Sequence, residues 1–335
     1  MNNWKEINSL TNKFFTTNVY VSELNNILPF EDSFDFLIVF NSTEERTLEY
    51  AKLFKSKHVE NCMLVDFKGE ESDFKSNNLI KNTKLLSSIS KSDPIIVNGL
   101  DIFSYEESIE NIIERIPLLQ FGIDSKCLID ITGVPLIYST TIFKLLKQKF
   151  PSPELYLLNV SAKYEKGTNS NYQFSEGERE NIYIPGFYGK PDFSKNWLYI
   201  FLLGFEGNRS LSILKQNQPD FIEAVIAEPG YQVGYKSKAI EINKSFFAES
   251  NISEDEIIRV DAGDPVALCE KVLQICIDYE ESNICIVPLG TKPHSIGAGL
   301  AAIINDSISI MYQVPKKYSM NNTKSGELLW IYKIK

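Results

Sequence analysis

An α/β fold made of two similar halves, each a mainly parallel sheet ending in an antiparallel hairpin, is predicted by three features of the 335-residue sequence. Short apolar runs alternate with stretches of helical length and period, the pattern of strand–helix–strand units. A set of landmarks occurs twice, in the same order. Both copies contain an apolar strand that breaks at a Gly/Thr turn and continues as a helix with proline at its start. These are Cys127-Leu-Ile-Asp130-Ile-Thr132-Gly133-Val134-Pro135 and Cys285-Ile-Val-Pro288-Leu-Gly290-Thr291-Lys292-Pro293.

Composition bounds the function classes. An apolar content of 43% with 12% aromatic residues is enough for real cores and argues against a disordered chain. A formal net charge of −10 makes a long nucleic-acid polymer an unsuitable principal partner, because duplex binding rests on a cationic surface. The five cysteines contain no CxxC pair and read as buried free thiols of a reducing compartment. No basic-then-apolar leader and no apolar run near ~18 residues is present, so a cytoplasmic protein with no membrane contact is expected.

Taken in order, residues 1–33 read as a helical appendage, with Trp4, Ile7, Leu10, Phe14 and Phe15 at roughly helical spacing and a second short helix running to Leu28-Pro29. The first half, 34–192, begins with Phe36–Phe40, an apolar run suited to a sheet covered on both faces. Cap-forming residues Asn41-Ser42-Thr43 then precede a helix to about Lys57. Cys62–Asp66, Ile95–Asn98, Lys126–Ile131 and Leu155–Asn159 are its further strands, with helices over 104–115 and 136–149 between them. A polar loop leads to Asn181–Ile184, the second arm of the expected hairpin. The second half, 193–335, repeats this order through Leu198–Leu203, Ala224–Ala227, Ile257–Asp261, a helix over 265–279, Cys285–Pro293, and Val314–Tyr318 followed by Leu329–Ile334. Matched landmarks drift smoothly in offset, from 163 residues between Arg46 and Arg209 to 149 between Gly177 and Gly326. Recurrence in fixed order marks an internal duplication. Each half is therefore expected to be a Rossmann-like layer with ligands beyond the carboxyl ends of its strands, and the halves to pack about a pseudo-two-fold axis around a composite cleft.

The Gly/Thr turns are the chemically informative places. A strand, a glycine turn and a helix N-terminus make an anion-binding corner, because unsatisfied backbone N–H groups and the helix dipole both favour negative charge there. The second copy adds Thr291, Lys292 and His294 to Gly290, a set suited to phosphate. The first copy has Asp130, Thr132 and Gly133 but Val134 in place of the cation, so the halves have diverged. Arg46 and Arg209 follow the first strand of each half; each can fork onto phosphate oxygens or pair with the neighbouring Glu44 or Glu206. Lys163 and Lys317 either reach toward the cleft or are solvated surface lysines. His294 is a ligand contact, a structural histidine or a general base. Asp130, Asp261 and Asp264 stand at strand ends as helix caps or ribose contacts. Gly230–Lys236 is a near miss to a P-loop, broken by Tyr235 between glycine and lysine; Gly297-Ala298-Gly299 lies within a helix and reads as close helix packing. No metal-ligand spacing and no GxSxG motif is present, and no catalytic residue or cofactor is assigned.

The Asp130-Ile131-Thr132-Gly133 and Leu289-Gly290-Thr291-Lys292 turns resemble the strand-4 motif of CARF domains, the Rossmann-like sensors of CRISPR systems. In that family an Asp-x-Thr-Gly-Gly-Thr-Lys type sequence sits there, and cyclic oligoadenylates bind across a dimer axis. Here the motif is split between the copies, the first lacking the lysine and the second the aspartate. The resemblance implies a sensor of a small phosphorylated nucleotide in prokaryotic antiviral defence; with the residues read above from their own chemistry, the expected ligand-binding set is Arg46, Asp130, Thr132, Gly133, Arg209, Gly290, Thr291, Lys292, His294 and Lys317. It also implies a protein partner or homo-oligomer as effector, since no HEPN or PD-(D/E)xK nuclease motif is evident in the chain. A ring-nuclease-like enzyme and a non-binding scaffold are the alternatives.

Overall fold

The computed structural model describes residues 5–27, 33–68, 73–116, 125–149, 154–164, 175–318 and 323–335. The chain divides into two compact units, Met1–Glu165 with Asn322–Lys335, and Lys166–Asn321. The expected boundaries of 34–192 and 193–335 are thus corrected, and the reason lies in where the last strand of each half goes.

Unit 1 contains β3 (Phe34–Phe40), β4 (Val59–Lys68), β5 (Ile95–Asp101), β6 (Lys126–Asp130) and β7 (Glu154–Tyr164). Unit 2 contains β9 (Trp197–Leu203), β10 (Phe221–Ala227), β11 (Ile258–Val260), β12 (Asn283–Pro288) and β13 (Ser309–Tyr318). The two sets are ordered alike, β5-β4-β3-β6-β7 and β11-β10-β9-β12-β13, and every neighbouring pair within each set is parallel. Numbered within a half this is 3-2-1-4-5, a doubly wound sheet whose order reverses between strands 1 and 4. Near-continuous apolar sequence explains the burial of the central strands. Leu37, Ile38 and Val39 are inaccessible to solvent, as are Ile200, Phe201 and Leu202.

The connecting helices α2 (Tyr105–Glu114), α3 (Leu136–Lys149), α4 (Gly207–Asn217), α7 (Pro265–Asp278) and α8 (Lys292–Ile304) stand where the sequence pattern places them. Glu45–Leu53 is a 3-10 helix rather than the longer helix expected to about Lys57. Three further helices are not among those expected from the sequence: α1 (Asp73–Ile89), α5 (Tyr235–Ile242) and α6 (Lys244–Ser250). Gly297 does serve helix packing. A Cβ there would lie 2.5 Å from the carbonyl oxygen of Pro265, at the crossing of α7 and α8. No helix among the described residues is long and apolar enough to cross a membrane.

Two expectations are overturned. Residues 5–23 are strand rather than helix: β1 (Lys5–Thr11) and β2 (Thr16–Glu23) form a hairpin, followed by a single 3-10 turn at Leu24–Asn26. Its turn is tied by the Asn12 carboxamide oxygen, which accepts from the Phe14 and Phe15 amides. The run Thr16-Thr17-Asn18-Val19-Tyr20-Val21 is rich in strand formers and finds a sheet edge to join, which overrides the sparse helical spacing. Trp4, Leu28 and Pro29 lie outside the described residues, and of the second short helix expected to run to them the 3-10 turn Leu24–Asn26 is described.

The terminal hairpins are also not what they were expected to be. β7 does not pair with the next strand, β8 (Ser175–Tyr188), nor β13 with the last, β14 (Thr323–Ile334). β14 pairs antiparallel with β7, Ile331 opposite Leu158, and β8 pairs antiparallel with β13, Asn181 opposite Gln313. Each sheet is therefore completed by a strand from the other half of the sequence. β14 is also covered on its second side by β2, so it is an interior strand with Leu329, Ile331, Tyr332 and Ile334 fully buried. β8 is an edge strand, and it carries the protections such edges need: Glu176, Glu178 and Glu180, a kinked register, and glycines 177 and 186 at positive φ.

A carboxylate clasps the exchanged strand. Glu154, at the start of β7, contacts Lys333 at 3.0 Å and Lys335 at 2.7 Å and accepts a hydrogen bond from Tyr156 at 2.8 Å. Burial alone would raise its pKa; the bonds from Lys335, Lys333 and Tyr156 prevail and hold it at about 2. Its contribution is present above the ordinary carboxylate range and is lost as pH falls from about 4.5 through about 2. Glu154→Gln is expected to cost about 2 kcal/mol at pH 7, discounted for the exposure of Lys335, and nothing near pH 2. Urea denaturation of both proteins at the two pH values measures this.

Candidate functional site

In both units the sheet order reverses between the first and fourth strands, the place at the carboxyl ends where open α/β sheets take ligands. The predicted corners lie there. In unit 2 the exits of β9 and β12 touch backbone to backbone: a Cβ on Gly204 would sit 2.4 Å from the Leu289 carbonyl oxygen, and one on Gly290 3.3 Å from those of Leu202 and Leu203. Only glycine allows this approach at Gly204. Thr291 caps α8, accepting from the His294 amide at 3.3 Å while donating its hydroxyl to the Ala262 carbonyl at 2.9 Å. Gly290, Thr291 and Lys292 are each half-buried.

His294 has no solvent exposure, and its Nε2 lies 2.9 Å from the Asp261 carbonyl oxygen. Desolvation lowers its pKa to about 4, against the opposing pull of the Asp261 carbonyl and the Asp264 charge. The ring is therefore neutral at pH 7 with Nε2 as donor, and it ties the β11 exit to α8. That is a structural role, and it takes the ring away from general-base work. Asp264 caps α7 through the Val266 and Ala267 amides at 2.9 and 3.0 Å, while Asp261 accepts from the Gly263 amide at 2.8 Å. Both are local turn and cap formers.

The corner of unit 1 is built inward. Asp130 is buried and accepts from the Thr132 amide at 2.9 Å; the Thr132 hydroxyl accepts from the Val160 amide at 3.1 Å. A Cβ on Gly133 would lie 2.4 Å from Thr47 Cγ2 and 2.9 Å from Ser42 Cβ, so this glycine is required for packing against the strand-1 exit. With Val134 where the second corner has Lys292, and with these filled contacts, the first corner is a packing element.

Both arginines are engaged within their own units, which decides the open alternative. Arg46 is buried, pairs with Glu44 and donates to the Val160 carbonyl at 2.7 Å. Arg209 is buried, pairs with Glu206, donates to the Gln313 carbonyl and lies over the Tyr312 ring at 5.2 Å. The same clamp thus joins strand 1 to strand 5 in each unit. An asparagine from the segment after strand 2 makes a second repeated link: Asn78 Nδ2 donates to the Ser42 carbonyl at 2.9 Å and Asn243 Nδ2 to the Gly204 carbonyl at 2.7 Å. Sequence reasoning missed these asparagines, which sit in no motif. Lys317, opposite Glu176 on β8, and Lys292 are half-buried cations at the unit 2 edge, each with interactions inside the protein. Lys163 is exposed.

Other chemistries are poorly served. The cysteines are free; burial pushes the thiols of Cys127, Cys269 and Cys285 up to about 12, far from nucleophilic. Lys236 of the near P-loop is paired with Glu228 at 2.9 Å, beside Arg259 at 3.1 Å from the same carboxylate. Among the described residues no group of three or more His, Cys, Asp and Glu could hold a metal ion. Compared with known proteins, the sequence matches no protein-family model and no curated protein.

Proposed function

We propose that this protein is a sensor of a small phosphorylated nucleotide, of the cyclic oligonucleotide messenger class, acting in prokaryotic antiviral defence through a protein partner. The observation that carries this reading is the unit 2 corner: half-buried Gly290, Thr291 and Lys292 at the N-terminus of α8, at the reversal point of a 3-2-1-4-5 sheet, with Lys317 on the adjacent strand. An anion there meets the positive end of the α8 dipole and an ammonium. The ligand-binding set is accordingly narrowed to Gly290, Lys292 and Lys317. Calorimetry and thermal denaturation with cyclic oligoadenylates test it. Binding at ~100 times Kd should add ~2.7 kcal/mol of stability, and Lys292→Ala should weaken binding by at least about tenfold, the loss of one charge-assisted bond. Absence of binding by every cyclic oligoadenylate tried, with the protein folded, rejects the reading.

One set of observations favours a second reading, a scaffold subunit that binds no nucleotide: Arg46, Thr132 and Arg209 all have internal partners. In that case the protein captures the same partner before and after Lys292→Ala, and no nucleotide alters the capture.

A further inference from the structure

We infer that Arg46 and Arg209 are positioning residues that couple the two units, each gripping the end of its own unit's fifth strand, which continues into the strand completing the other unit's sheet. The inference does not rest on the nucleotide reading.

β13 pairs with β12 only at Ser309 and Ile310; beyond that point it runs on with β8 on one side. Its other side is taken at Gln313, where the carbonyl accepts from Arg209 and the guanidinium covers Tyr312. Arg209 is itself fixed by Glu206, which accepts a hydrogen bond from Ser175 of β8. After Tyr318 the chain has residues 319–322 and then enters β14, an interior strand of unit 1. Unit 1 has the reciprocal arrangement. β7 pairs with β6 as far as Leu158, and just beyond it Val160 is held through both backbone groups, its carbonyl by Arg46 and its amide by Thr132. β7 then leads through residues 165–174 into β8 of unit 2.

A grip on a strand is passed along the chain only as far as the tether is short. The five steps from Tyr318 to Thr323 span roughly 18 Å at most, whereas the eleven from Tyr164 to Ser175 allow roughly 40 Å. Coupling should therefore run more strongly from Arg209 to β14 than from Arg46 to β8. Anything that engages the strand-1 exit of unit 2 and competes for Arg209 or Glu206 would act on unit 1 by this route.

Hydrogen exchange followed by mass spectrometry on the full chain tests it. Arg209→Ala should speed exchange about tenfold in peptides of β13 and also in β14, the scale of one lost hydrogen bond to a charged group, while β3 and β4 stay at the wild-type rate. Arg209→Lys, which keeps the charge for Glu206 but cannot bridge both partners, should give the same pattern more weakly and serves if the alanine variant does not fold. Arg46→Ala should change β8 less than Arg209→Ala changes β14. Loosened β13 with β14 at the wild-type rate overturns the coupling, and a larger response in β8 than in β14 overturns the tether argument.

Discussion

Replacing Ile331 with alanine is expected to destabilise unit 1 by about 3 kcal/mol, the cost of a cavity at a buried aliphatic site, and replacing it with aspartate to unfold that unit, since an unpaired buried charge exceeds typical domain stability margins. Ile331 has no solvent exposure and stands opposite Leu158 of β7 on one side and Tyr20 of β2 on the other. It belongs to one core with Leu37, Val39, Leu64, Leu128 and Leu158. The effect is assigned to unit 1 only because β14 is exchanged. Were β13 and β14 a hairpin, as the order of the sequence suggests, the same substitution would strike unit 2. Hydrogen exchange in the aspartate variant separates these outcomes. Loss of protection should cover β3, β4, β6 and β7, while β9, β10 and β12 stay protected; the opposite pattern would refute the exchanged topology.

Stability should also fall by about 3 kcal/mol between pH 6.5 and pH 4 through His294 alone. The unfolded chain takes up this proton near 6.5, whereas the folded protein resists it until about 4, so within that window the unfolded state binds more protons and acid favours it. Burial is the cause, and it outweighs the opposing pull of the Asp261 carbonyl and the Asp264 charge. Above 6.5 the contribution is complete; below 4 nothing further is lost. Asp261, held above the usual carboxylate range chiefly by its burial, titrates in the opposite sense, its proton being bound more tightly in the fold. His294→Gln, which retains a donor for the Asp261 carbonyl, should be less stable at pH 7 yet show a flatter dependence. Urea midpoints of both proteins from pH 7.5 to 4 measure the difference, and parallel curves would show that His294 does not titrate on unfolding.

Much of the architecture was legible because its signals are local. Apolar strands such as Phe36–Phe40 and Leu198–Leu203, the Pro-led helices at Leu136, Pro265 and Lys292, and the duplicated landmarks each depend on a few consecutive side chains. The Gly/Thr corners were located for the same reason, and the sheet order puts both at the reversal point. The hairpin at residues 5–23 was misread because Ile7 and Leu10 have helical spacing by coincidence, while what makes a strand of Thr16–Glu23 is the edge of β14, more than 300 residues away.

Determined by the sequence alone, then, were two doubly wound halves, their strands and helices, and a glycine corner in each. The tertiary structure decided who pairs with whom. An alternating strand specifies which of its faces is buried but not which backbone lies beside it, because every backbone offers the same N–H and C=O groups. β8 and β14 could therefore exchange sheets without leaving a mark in their sequences. The arginines follow the same logic: their partners are the carbonyls of Val160 and Gln313, 114 and 104 residues away, and a carbonyl has no residue type to read.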